Sequence, residues 1–172
     1  MTLLAGGTPR VVECGIEDRF KLSPVALERA LSPATRWLWL NSPCNPTGAS
    51  YSRREFAALG EVLQKYPRVL IMSDEIYEHI HYTDEPPISF ASACPSLAHR
   101  TVIVNGVSKT YAMTGWRIGY AAGPRRSCTG HGKDTVAVNL EPEFDFPGGS
   151  HRGAERTPGF RIACTSGVSV AT

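Results

Sequence analysis

No stretch of this chain stays apolar for the roughly 20 residues that a bilayer-spanning helix needs, so a membrane class is not expected. The opening segment, MTLLAGGTPR, lacks a charged start followed by an apolar core, and no secretory signal is expected there. No Cys-x-x-Cys pair occurs, and the five cysteines (Cys14, Cys44, Cys94, Cys128 and Cys164) are odd in number. That argues against a disulfide framework or a zinc site and predicts a reducing, cytoplasmic compartment. Neither sign of charge dominates, with a net charge of +2, and no basic patch is interleaved with aromatics. A nucleic-acid partner is therefore not expected. Internal repeats are also missing. What remains is ordinary globular composition: 172 residues, 42% hydrophobic and 20% charged, enough for one domain with a real core.

The first 124 residues alternate strand and helix signals. Arg10 to Cys14 is a short apolar run between Pro9 and Gly15. Ser23-Pro24 has the form of an N-cap followed by a first-turn proline, opening a helix through Leu27 and Leu31. Arg36 to Leu40 is a buried-strand candidate stopped by Asn41-Ser42-Pro43. Ser52 to Tyr66 has helical period, with Phe56, Leu59, Leu63 and Tyr66 on one face and charges on the other. Arg68 to Met72 and Thr101 to Val104 are two further strands. Strands alternating with helices predict an α/β fold with parallel strands.

In open α/β sheets, ligands sit beyond the carboxyl ends of the strands. Three predicted strands deliver polar residues to that edge. The first leads into Asn45-Pro46-Thr47-Gly48, the second into Ser73-Asp74-Glu75-Ile76-Tyr77, and the third into Gly106-Val107-Ser108-Lys109. A lysine amine can form a Schiff base and then serve as a base. A carboxylate facing a pyridine nitrogen keeps it protonated and strengthens the ring as an electron sink. A tyrosine hydroxyl and an asparagine amide can both hydrogen-bond a phenolate oxygen on that ring. Arg117, in Gly115-Trp116-Arg117-Ile118-Gly119, can hold a phosphate bidentately. Taken singly, each residue has an ordinary structural explanation: a solvated lysine, a helix-capping aspartate, a packed tyrosine, a common Asn-Pro turn. Their order on one strand-ended frame favours the functional reading.

The Asn45–Gly48 and Ser73–Tyr77 motifs, with the run Ser108-Lys109-Thr110-Tyr111-Ala112-Met113-Thr114-Gly115-Trp116-Arg117-Ile118-Gly119-Tyr120, resemble the class I/II aminotransferases of pyridoxal-phosphate fold type I. Glu78-His79-Ile80 is similar to the bacterial aspartate/prephenate type. The resemblance covers roughly residues 1–124 and implies a partial αβα large domain that binds pyridoxal 5′-phosphate. It implies transamination between an amino acid and a 2-oxo acid, in a homodimer. Residue by residue, Lys109 resembles the Schiff-base lysine and Asp74 the partner of the pyridine nitrogen. Tyr77 and Asn45 resemble the ligands of the ring oxygen, Asn45 lying also near the substrate carboxylate, and Arg117 resembles a phosphate ligand. It also implies a cis peptide at Asn45-Pro46. The position three before the lysine, often a phosphate-binding serine in the family, is Gly106 here.

Three family features find no match: the upstream glycine-rich phosphate loop, the aromatic residue that stacks on the ring, and the downstream arginine that grips the substrate carboxylate. Their lack predicts impaired catalysis and keeps two other readings open, a non-catalytic remnant and another pyridoxal enzyme on this fold, such as a decarboxylase or lyase. Residues 125–172 lose both the resemblance and any sustained periodicity. They are expected to be an irregular, non-family tail produced by a frameshift. Back-translated with ordinary codons and read one nucleotide later, Asp134 to Phe160 yields IQSQSTSNPSSISQAAAIEALNGPQDF, which resembles what these aminotransferases carry after the Gly-Pro corresponding to Gly123-Pro124.

Overall fold

The computed structural model describes residues 2–82, 84–124 and 168–171. Among the described residues, six strands form one sheet in the order β1-β6-β2-β3-β4-β5. They are β1 (Pro9–Val12), β2 (Trp37–Asn41), β3 (Leu70–Asp74), β4 (Thr101–Gly106), β5 (Gly119–Ala122) and β6 (Val168–Ala171). The three at the centre, β2, β3 and β4, run parallel. Their carboxyl ends therefore share one edge, and Asn41 and Val104 lie level with Asp74 on either side of it. β5 returns antiparallel to β4, with Gly119 opposite Gly106. This is the α/β architecture expected from the alternation of signals.

The helices are set by local chemistry. α1 (Pro24–Ala30) starts where the Ser23 hydroxyl accepts from the Ala26 amide, with proline in the first turn. α2 (Arg53–Gln64) opens on a full capping box: Ser52 accepts from the Glu55 amide while Glu55 accepts from the Ser52 amide. Phe56, Leu59 and Leu63 are fully buried, on the face their spacing marked. They pack with Leu27, Leu38, Leu40, Ile71 and Phe90 into the main core on one side of the sheet. Met72, Val102 and Val104 form a smaller cluster with Trp37, Trp39 and Ala121.

Two boundaries differ from expectation. α2 ends at Gln64, so Tyr66 lies in the turn behind it. The strand expected at 68–72 occupies Leu70–Asp74. The cause is the same in both cases. The chain leaves α2 through a tight turn, Tyr66 N–H to Leu63 O and Val69 N–H to Tyr66 O, which consumes Arg68 and Val69. Ser73 and Asp74 then belong to the strand.

Arg100 is buried beneath that turn, and its guanidinium donates to the carbonyls of Leu63 (2.7 Å), Tyr66 (2.8 Å) and Val69 (2.6 Å). The Leu63 and Tyr66 carbonyls already accept backbone N–H groups in the turn, and Arg100 adds a charged donor to all three. The expected irregularity of 125–172 fails for four residues: Val168–Ala171 form β6, antiparallel to both β1 and β2. An open strand edge carries unpaired N–H and C=O groups, and a valine-rich segment satisfies them. The remainder of that expectation lies outside the described residues.

Candidate active site

Four of the predicted site residues lie at or just past the end of a central parallel strand. Asn45 lies in the loop after β2, Asp74 closes β3, Tyr77 lies in the turn after it, and Lys109 sits in the one-turn helix α4 (Val107–Thr110) after β4. The loop after β2 contains two cis peptides, Ser42-Pro43 and the expected Asn45-Pro46. The Asn45 side-chain amide donates to the Tyr77 hydroxyl at 3.2 Å. The Lys109 ammonium lies 5.6 Å from the centroid of the Tyr77 ring. Three strands thus bring three predicted site residues together.

Asp74 closes β3 at the same edge, half-buried. Its Oδ1 accepts from the Ile76 amide at 3.1 Å, as an Asx turn. Burial pushes its carboxyl above the usual value, and the Ile76 amide offsets this only in part. Among the described residues it has no cationic partner, and a partly desolvated carboxylate so placed favours a positively charged or N–H-bearing ligand.

Arg117 follows the 3₁₀ turn Thr114–Trp116, where its guanidinium donates to the Thr114 carbonyl at 3.0 Å. Its neighbour Ile118 accepts from the Val107 amide, which places Arg117 at the same end of the sheet as α4. Arg117 is exposed, and it adopts a left-handed conformation (φ 54°). Gly106 is enclosed: a Cβ there would lie 2.9 Å from the Ile118 carbonyl and 3.3 Å from Ile76 Cδ1. The close approach of these loops explains the glycine where the resembling enzymes often have serine.

An open cleft of about 330 Å³ adjoins the cluster, lined by Pro43, Cys44, Asn45, Tyr77, His81 and Tyr82 among others. That volume is at the low end for small-molecule sites.

Sequence reasoning missed the residues that hold the cluster together. Asn41 accepts from the Asn45 amide and donates to the Asp74 carbonyl, both at 3.2 Å. Glu75, fully buried, accepts at one oxygen from Ser73 Oγ (2.8 Å), Ser89 Oγ (3.0 Å) and the Phe90 amide (3.1 Å). It thereby ties the end of β3 to the start of α3 (Phe90–Ala93). Asn105 donates to Glu78 at 2.6 Å. All of them lie inside or beside the quoted motifs. Their partners, however, come from other strands, and spacing along the chain does not reveal those.

Comparison with known proteins bears on this arrangement. A family model described as aminotransferase class I and II matches residues 2–138. An aspartate/prephenate aminotransferase of Cereibacter sphaeroides is 57% identical over 124 residues, covering 72% of this chain and 31% of that protein. The same enzyme of Nitrosomonas europaea is 52% identical over 124 residues, again 72% and 31%. Among solved structures, an aspartate aminotransferase from Rhizobium meliloti superposes with a TM-score of 0.64 at 50% identity, covering 66% of this chain and 28% of that one. One from Thermus thermophilus, solved with maleate, gives 0.61 at 41% identity, covering 67% of this chain and 29% of that one. The chain therefore spans under a third of the length of these relatives. The matched span takes in the Asn45, Asp74–Tyr77 and Lys109–Arg117 segments together, on a sheet of the same architecture, and on that evidence the chain belongs to the class I and II aminotransferases.

Proposed function

We propose that this chain is the lysine-bearing part of a pyridoxal-phosphate-dependent aminotransferase that moves an amino group between an amino acid and a 2-oxo acid, of the aspartate aminotransferase kind. The observation that carries the reading is the convergence of Asn45, Tyr77 and Lys109 at the sheet edge where the half-buried Asp74 closes β3. The donor set fits the group. The desolvated Asp74 carboxylate suits a protonated ring nitrogen. The Asn45 amide and Tyr77 hydroxyl, already 3.2 Å apart, can both donate to one ring oxygen. Bound pyridoxal phosphate supplies an aldehyde for covalent attachment and a ring that draws electron density from the substrate Cα.

The chain's own residues do the remaining work. Lys109 would supply the amine for that attachment and a proton-carrying group at Nζ. Asp74 would pair with the ring nitrogen and favour its protonated form, in a partly desolvated setting. Tyr77 and Asn45 would hold the ring oxygen, and Asn45 would also serve the substrate carboxylate. Arg117 would hold the phosphate once its guanidinium turns from Thr114, while Gly106 offers no side chain for that purpose. The substrates are small molecules, the proposed compartment is the cytoplasm, and the proposed assembly is a homodimer. Among the described residues, no helix is long and apolar enough to cross a membrane.

Titrating the purified chain with pyridoxal phosphate and recording the absorbance of the imine tests this. The band is expected for the parent chain and for Asp74→Ala, with weaker affinity in the variant, and it is expected to vanish in Lys109→Ala. An unchanged band in Lys109→Ala would place the nucleophile elsewhere and overturn the assignment.

A further inference from the structure

The paired ladder between β3 and β4 stops at Asp74 opposite Val104, with one more bond from the Glu75 amide to the Val104 carbonyl at 2.9 Å. Tyr77 and Lys109 both lie past that point. Their relative placement therefore depends on how the two loops are joined beyond the ladder. The join is made by side chains. Asn105 is buried at the end of β4, and both ends of its amide are engaged. Its Oδ1 accepts from the Gly106 amide at 2.7 Å and its Nδ2 donates to Glu78 Oε1 at 2.6 Å. Glu78 is the residue after Tyr77, and its own amide donates to the Glu75 carbonyl at 2.9 Å, closing the turn that carries the tyrosine. On the other loop, Gly106 packs so tightly on Ile76 and Ile118 that no side chain fits between them.

We propose that the Glu78–Asn105 hydrogen bond is a positioning device that fixes the Lys109 turn against the Tyr77 turn. This rests on the reading of Lys109 as the cofactor lysine. Glu78 touches no part of the proposed reaction; it acts through Tyr77 on one side and through Asn105 and α4 on the other. A charge-assisted bond at 2.6 Å, anchored on a buried amide, is strong enough to hold two short loops in one geometry. The neighbouring His79 imidazole, 3.5 Å from the same Glu78 oxygen and largely exposed, is a bystander in this scheme.

The test uses the full chain with Glu78→Ala, Glu78→Gln and His79→Ala. Glu78 is about one-third exposed, so these variants are expected to fold. Amide hydrogen exchange over residues 106–111 reads the bridge without any cofactor. Capture of pyridoxal phosphate at Lys109, measured as an equilibrium constant, reads its consequence. In Glu78→Ala, exchange in 106–111 should quicken about tenfold, and capture should weaken about tenfold, the low end for a hydrogen bond to a charged group. Exchange within β2 and α2 should stay unchanged. Glu78→Gln keeps an accepting oxygen but loses the charge, and should bring both readouts to within about fourfold of the parent, between the parent and Ala. His79→Ala should alter neither. Unchanged exchange in Glu78→Ala, or a Gln variant as impaired as Ala, overturns the proposal. If the parent chain captures no pyridoxal phosphate at Lys109, the cofactor reading falls, and the exchange pattern alone then decides whether the bridge holds the two turns.

Discussion

Replacing Glu75 should weaken the chain by an amount that can be worked from its contacts. One carboxylate oxygen accepts from the Ser73 hydroxyl, the Ser89 hydroxyl and the Phe90 amide, all in the protein interior. Hydrogen bonds to charged groups contribute about 1.5–3 kcal/mol each, whereas a buried donor left unmet costs about 1–3 kcal/mol. In Glu75→Ala the serine hydroxyls can rotate to other acceptors, but the Phe90 amide is fixed at the start of α3 and cannot. Relief from burying a charge opposes the loss. The net expectation is a destabilisation of about 3 kcal/mol for Glu75→Ala and about 1 kcal/mol or less for Glu75→Gln, which keeps an accepting oxygen. Urea unfolding of the cofactor-free chain measures both.

A pH series adds a sign that packing alone would not give. Burial raises the Glu75 carboxyl above 4.5; the three donors pull it down without cancelling that, and the charge on Glu78 adds to the rise. An acid raised on folding contributes stability that is fully present below its unfolded value and is lost as pH rises through its folded value. The parent should therefore lose stability relative to Glu75→Gln on going from acid to neutral pH. A Glu75→Ala loss under about 0.5 kcal/mol, the range of inert surface changes, would refute the assigned anchoring role. So would an advantage of the parent over Gln that grows with pH.

Asp74→Asn should separate stability from function. The Asp74 carboxyl is raised above 3.8 by burial, so the same sign applies: the cofactor-free variant gains stability over the parent at neutral pH and shows no gain below 3.8. It should also bind pyridoxal phosphate more weakly, which thermal shifts with and without cofactor will record. Arg100→Met should cost about 3 kcal/mol or more in urea unfolding, because three carbonyls at the end of α2 lose a charged donor together. Sequencing the gene should show that the frame one nucleotide later, across codons 134–160, encodes the family continuation; an alternate frame without it removes the frameshift reading.

Much of the site was legible because its chemistry sits in short contiguous motifs at strand ends. Asn45, Asp74, Tyr77 and Lys109 needed only strand position and residue type to be placed at one edge, and the parallel order of β2, β3 and β4 put them there. The supporting residues were not legible in that way. Glu75 reads along the chain as a turn residue, yet two of its three partners, Ser89 and Phe90, lie fourteen and fifteen positions away at the start of α3. Asn41 and Asn105 end strands, where asparagine is common for local reasons, and only the sheet register shows what they bridge. The burial of Arg100 follows from the turn behind α2, whose carbonyls it meets. The strand Val168–Ala171 was hidden because its partners, β1 and β2, lie more than a hundred residues earlier.

The most direct measurement is reduction of the pyridoxal phosphate-treated chain with borohydride, followed by peptide mass mapping of all lysines. A single pyridoxyl adduct on Lys109, reduced in yield by Tyr77→Phe and absent when pyridoxal phosphate is omitted, is the expected result. Adducts spread over Lys21, Lys65, Lys109 and Lys133 alike, or none on Lys109, would contradict the assignment of Lys109 as the cofactor lysine.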